Sequence, residues 1–177
     1  MSLQRPKSGE YNPYFSHYLS LVPEDGSFEE LFHKATNDLI HLLANIPMGK
    51  ADYAYAEGKW SVKQVVQHLS DSDRVFSYRA LIAARGDVKA QLFSMDENMY
   101  ALNADVSMRS LPEMLEELEA VRKSFFKLLQ HMNDEHASRL AYVENHPLTA
   151  RAMGYISIGH CMHHLSVLHS RYFPTEQ

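Results

Sequence analysis

Three stretches of this chain open with the same local device. Ser27 and Glu30, Ser61 and Gln64, and Ser110 and Glu113 all show the spacing of a capping box, in which side chains and backbone at a helix start satisfy one another's orphan groups. Apolar residues then recur at helical period. In the first stretch, "SFEELFHKATNDLIHLLANI", Phe28, Leu31, Phe32, Ala35, Leu39, Leu42, Leu43 and Ile46 form the stripe, and Pro47 ends it. In the second, Val62, Val65, Val66, Leu69, Phe76, Ala80 and Ala83 line one face and Gly86 supplies the stop. The third, "SLPEMLEELEAVRKSFFKLLQHM", tolerates Pro112 in its first turn. A fourth periodic segment runs from about Thr149 to Tyr172, with Pro174 beyond it.

Four helices of this length in 177 residues predict one all-α domain over residues 1–177, a four-helix bundle. The connections are long: about 13 residues between the first two helices and about 23 between the second and third. The latter, "DVKAQLFSMDENMYALNADVSMR", is too apolar for a plain linker and reads as a functional or crossover segment. Residues 1–26, rich in Tyr and Pro, are expected to form an irregular arm on the bundle.

The net charge of -5 and the lack of a Lys/Arg patch argue against nucleic-acid and anionic-membrane partners. No apolar run reaches the roughly 18–20 residues that cross a bilayer, and the first residues lack a signal-peptide core, so a cytoplasmic location is expected. One cysteine, Cys161, allows neither an intrachain disulfide nor a CxxC metal site. Eleven histidines stand out, four of them in "GHCMHHLSVLH". On a helix His160 and His164 lie about 40° apart, on the stripe shared by Met153, Ile156, Val167 and Leu168. Imidazoles one turn apart on a buried stripe need hydrogen-bond partners or a metal ion, and His-x-x-x-His is a chelating spacing. His68 stands at the edge of the second helix's apolar face, on one strip with Ser72, Val75 and Arg79. The charged run "EELEAVRK" reads as a solvated face.

Three segments carry a resemblance to a known family. "YAEGKWSVKQVVQHLSDSDRVFSYRALIAARGD" resembles the second-helix signature of the DinB/YfiT-like proteins, "IGHCMHHLSVLHSRY" their closing Gly-His-x-x-His-His signature, and "YNPYFSHYLSLVPEDG" the N-terminal arm of the YfiT-like branch. The resemblance implies an up-down-down-up bundle with a long crossover between helices two and three. It also implies a divalent metal, zinc or nickel, held by His68, His160 and His164, with His163 not a ligand, and a homodimer.

Three neutral imidazoles leave a tetrahedral ion one open position, which points to catalysis on a small molecule. Such an ion either lowers the pKa of water for hydrolysis of an ester, amide or lactone, or generates a thiolate. Asp71 and Asp73 lie about 60° and 140° from His68, so neither offers itself as a base. That favours transfer of a low-molecular-weight thiol to an electrophile, and relatives that use such thiols lean the same way. A non-catalytic, stress-associated metal-binding protein is the third reading. A pocket is expected between the metal end of the bundle and the link containing Phe93, Met95, Asp96, Asn98 and Tyr100. Arg79 and Tyr100 are the candidate substrate contacts, Trp60 a packing anchor, and the N-terminal tyrosines packing for the arm.

Overall fold

The computed structural model describes residues 3–174. All three capping boxes form: Ser27, Ser61 and Ser110 each accept from the backbone three residues on, and Glu30, Gln64 and Glu113 reach back to the cap nitrogens. They start α2 (Phe28–Ala44), α3 (Val62–Arg85) and α5 (Leu111–Leu129). Gly86 ends α3 in the left-handed conformation, φ 68°, where a side chain would add strain. The last long helix, α7 (Ala150–Val167), continues into a π-helical turn over Leu168–Tyr172. Buried apolar side chains from all four form one continuous cluster.

Contacts along the helices fix which neighbours run together. Arg109, just before α5, donates to Gln67 at 2.8 Å, and further along Arg74 pairs with Glu117, so α3 and α5 run in the same sense. Phe28 meets Phe126 while Arg122 Nε donates to Thr36 at 2.7 Å, which sets α2 against α5 in the opposite sense. Phe28 also meets Tyr155, and Cys161 Sγ donates to the Ala35 carbonyl at 3.2 Å, so α2 and α7 run together. His68 faces His160 while Asp73 meets Ser157, which makes α3 and α7 antiparallel.

α7 departs from the striped helix that the sequence predicts. Every residue from Ala150 to Cys161 is buried. A helix apolar all round belongs inside, and α7 is enclosed by α2, α3 and the N-terminal arm. The arm is itself more regular than expected. Asn12 caps a 3-10 turn, Pro13–Phe15, that leads into α1 (Ser16–Leu21), which lies on α7. A Cβ on Gly159 would stand 2.0 Å from the Tyr18 carbonyl oxygen, so only glycine permits this approach. Arg151 anchors the arm's start by pairing with Glu10 and with Asp134.

The links also carry structure. Between α3 and α5 lies α4 (Glu97–Asn103), capped by Asp96 and set against α3. Before α7 come a short helix, α6 (Asp134–Ala137), and a hairpin of β1 (Ala141–Val143) and β2 (His146–Leu148). Its two-residue turn puts Glu144 at φ 55°. Glu144 N donates to the Leu92 carbonyl at 3.1 Å, which ties the hairpin to the α3–α5 link. Strands of three residues are too short for alternation to announce them.

Arg122 corrects the reading of "EELEAVRK" as a solvated face. It is 1% exposed and donates to Asp73 Oδ2 at 2.6 Å, with its guanidinium over the Phe32 ring. Ser157 donates to the other oxygen of Asp73 at 2.6 Å. Thr36, Asp73, Arg122 and Ser157 thus bring one polar group from each long helix to the centre of the bundle.

Candidate metal centre

His68 lies in the second turn of α3, and His160 and His164 in the last turns of α7. His160 Nε2 is 3.0 Å from His68 Nε2 and 3.1 Å from His164 Nε2, and the three nitrogens lie within 4.8 Å of one another. Ligands about 2.0–2.1 Å from a tetrahedral ion stand roughly 3.3 Å apart. The cluster is therefore at chelating separation.

Hydrogen bonding alone accounts poorly for this convergence. A neutral imidazole nitrogen either donates one proton or accepts at one in-plane lone pair. His160 Nε2 cannot make good bonds to both neighbours at once. Three lone pairs turned toward one divalent cation satisfy all three nitrogens. The residues present thus fit a metal ion through their donor chemistry.

The surroundings hold the imidazoles neutral. Burial pushes His68 down to about 4, with a smaller contribution from His163. His160 and His164 are also held well below the usual imidazole range, first by burial and then by repulsion from the other rings. Neutral rings keep their lone pairs free for a cation at neutral pH. The Trp60 ring lies 4.7 Å from His68, and Tyr18 and Phe76 meet His160 edge-on. Among the described residues His164 Nδ1 is buried without a hydrogen-bond partner, and the ring packs between His160 and His163.

His68 and His160 form part of the wall of a cavity of about 410 Å³. That volume suits a small ligand. The arm contributes Tyr14, Phe15 and Tyr18, the α3–α5 link Ser94 to Glu97, and the hairpin Glu144, His146 and Leu148. Arg79 also lines this space, 7% exposed. Tyr100 does not: it is 42% exposed and lines a separate depression with Gln67 and Asp71. Met95 and Asp96 line the cavity, whereas Phe93 lines a separate groove with Leu92, Tyr142 and Glu144. The cavity-lining tyrosines do more than pack the arm. His163 is half-buried against Tyr18 and His17. Cys161 is fully buried on the α2 side of its helix, with its thiol pushed up to about 11 by burial.

Of the cavity's carboxylates, Asp96 belongs to the link that the sequence sets beside the pocket, whereas Glu97 and Glu144 carried no signal of their own. Asp96 is occupied in capping α4 at Met99 N, and Glu144 accepts from the Ser94 hydroxyl at 3.1 Å. Glu97 stands close enough to raise the pKa of Tyr18 and to oppose the depression of His163, both neighbours of His160.

Among solved structures, the fold is similar to that of YfiT from Bacillus subtilis, described as a probable metal-dependent hydrolase with an unusual four-helix bundle topology. The TM-score is 0.70 at 18% identity, over 92% of this chain and 88% of that one. No curated protein matches the sequence. Among the described residues no helix is long and apolar enough to cross a membrane. A family model for the DinB superfamily matches residues 31–168, which include all three clustered histidines, and the chain belongs to that superfamily.

Proposed function

We propose that this protein is a divalent-metal-dependent enzyme whose ion is held by His68, His160 and His164 at the edge of the 410 Å³ cavity. The observation that carries the reading is the convergence of three buried Nε2 atoms beside a space large enough for a substrate. The helix senses support an up-down-down-up bundle in which the α3–α5 link is the crossover, since parallel neighbours cannot be joined by a short turn.

When bound, the ion supplies Lewis acidity, which activates a coordinated nucleophile and polarises an electrophile. The chain's own residues do the rest. Trp60, Phe76 and Tyr18 surround the imidazoles with apolar surface, which limits water and strengthens electrostatic interactions. Of the cavity carboxylates, Glu97 is the one without a hydrogen-bond partner among the described residues, and it is assigned the role of taking a proton. Carboxylates in the wall favour hydrolysis of a small ester, amide or lactone, and the description of YfiT as a hydrolase agrees. Transfer of a low-molecular-weight thiol to an electrophile is the second reading. It is favoured by the mostly apolar histidine surroundings, since a thiol needs less help from a base than water does.

The first test is elemental analysis of untagged protein beside His68→Ala, His160→Ala and His164→Ala. About one equivalent of zinc or nickel, lost in each variant, is expected. Folded wild-type protein that takes up no metal on reconstitution would overturn the reading. Chromogenic esters and alkyl halides, each assayed with and without thiol, then separate the two reactions.

A further inference from the structure

Arg79 is a buried cation without a carboxylate partner. It is 7% exposed, yet among the described residues no acidic oxygen lies within ion-pair distance. Its one hydrogen bond runs from Nη2 to the Phe93 carbonyl at 2.7 Å. The other buried arginines are treated differently: Arg122 is paired with Asp73, and Arg151 with Glu10 and Asp134. Glu144 acts on Arg79 only from beyond ion-pair distance, and one of its oxygens accepts from Ser94. A guanidinium has five donors, and burying it unpaired is costly. Arg79 lines the same cavity as His68 and His160.

His68 and Arg79 sit 11 positions apart on one strip of α3, which is about 16 Å along the helix axis. Phe15, Phe76, Leu148 and Met153 supply apolar wall to the cavity that both residues line. The order along α3 is cation, Phe76, Ser72, imidazole cluster. A ligand matching it has an anionic end, an apolar body and its reacting group remote from the charge.

We propose that Arg79 is the anchor for a carboxylate on the substrate, so that the cavity selects small apolar carboxylic acids bearing a remote reactive group. This rests on the cavity being the substrate site of the proposed enzyme. The fork of the guanidinium matches a carboxylate in two parallel hydrogen bonds, which lysine cannot reproduce. Substrate binding then supplies the counter-charge that the fold withholds.

The test uses 4-phenylbutyrate and its neutral isostere 4-phenylbutyramide as probes, with binding followed by calorimetry on the protein as purified. The wild type is expected to bind the carboxylate roughly tenfold or more tighter than the amide. Arg79→Gln should abolish that preference with little change for the amide, and Arg79→Lys should keep part of it. Circular dichroism and melting confirm that both variants are folded, and metal content is measured in the same samples. If Arg79→Gln fails to fold, the Arg79→Lys comparison decides, because loss of the fork alone should weaken the carboxylate. Equal binding of acid and amide by the wild type would overturn the proposal, as would an unchanged preference in the folded variants. Failure of the metal assignment would appear separately, as absent metal with the probe preference intact.

Discussion

Replacing Asp73 by alanine tests whether the fully buried pair beneath the histidines behaves as its geometry says. Arg122 is 1% exposed and loses its only carboxylate among the described residues. It keeps Thr36 Oγ1 at 2.7 Å, Ser157 Oγ at 3.4 Å and the Phe32 ring, while among the described residues its Nη2 has no partner to begin with. Ser157 loses the acceptor it now reaches at 2.6 Å. Removing one member of a buried ion pair costs about 3–5 kcal/mol, mostly from the uncompensated charge left behind. For a chain of this size each kcal/mol moves the melting temperature by about 2–4 °C, so a fall on the order of 10 °C is expected. The second half of the cycle is the stronger test. Arg122→Met alone strands Asp73, whereas Asp73→Ala with Arg122→Met removes both charges and should recover much of the loss. Urea melts of the wild type, both single variants and the double give the coupling energy. A single-variant loss under about 1 kcal/mol, or strictly additive losses, would show that the pair is not energetically buried and refute the reasoning.

Further outcomes follow from other parts of the structure. Gly159→Ala places a methyl against the Tyr18 carbonyl, so α1 must lift from α7; a loss of about 1–3 kcal/mol and earlier proteolysis of the arm are expected, and wild-type proteolysis would contradict the packing. Arg151→Met frees Glu10 and should make residues before α1 the first cleaved by protease, with the bundle's own urea transition little changed. In metal-free protein the clustered histidines make stability fall with acid. Their folded pKa values are depressed, so the unfolded chain takes up protons first; the neutral-ring contribution is intact above about 6.5 and is lost as pH drops toward 4. For His68 alone, with its pKa pushed down to about 4, the loss amounts to about 3 kcal/mol. Urea melts across that window should show a shallower pH slope in His68→Gln, and equal slopes would rule the histidines out as its cause.

The long helices were legible because their signals are local. A capping box spans four residues, and the apolar stripe that follows repeats every turn, so the starts of α2, α3 and α5 could be placed to the residue, while α2 and α5 end two and three residues short of the reading. The His160/His164 pair is local in the same way. His68 is 92 positions from His160, and its edge position on the wheel gave no reason of its own to place it there; only the family resemblance did. Arg122 was misread for a related reason. Helix-wheel logic assigns a charged residue to solvent unless its partner is known, and Asp73 is 49 positions away on another helix. The hairpin and α4 left no readable trace because each is too short for periodicity to emerge.

The same division bears on what the site can be read to do. The residues that suit a metal belong to α3 and α7, whose positions are fixed by a core that tolerates little change. The residues that would contact a substrate come largely from elsewhere: Tyr14 and Tyr18 from the arm, Glu97 from the crossover link, Glu144 and His146 from the hairpin. Judged from the helices alone, the lack of a carboxylate near His68 favours thiol chemistry. Glu97 weakens that argument, because a carboxylate is missing only from the long helices, not from the cavity. Glu97→Gln therefore separates the readings. It should slow hydrolysis by roughly 10²–10⁴-fold if Glu97 is the general base, while leaving metal content intact. An unchanged ester rate would return the balance to thiol transfer.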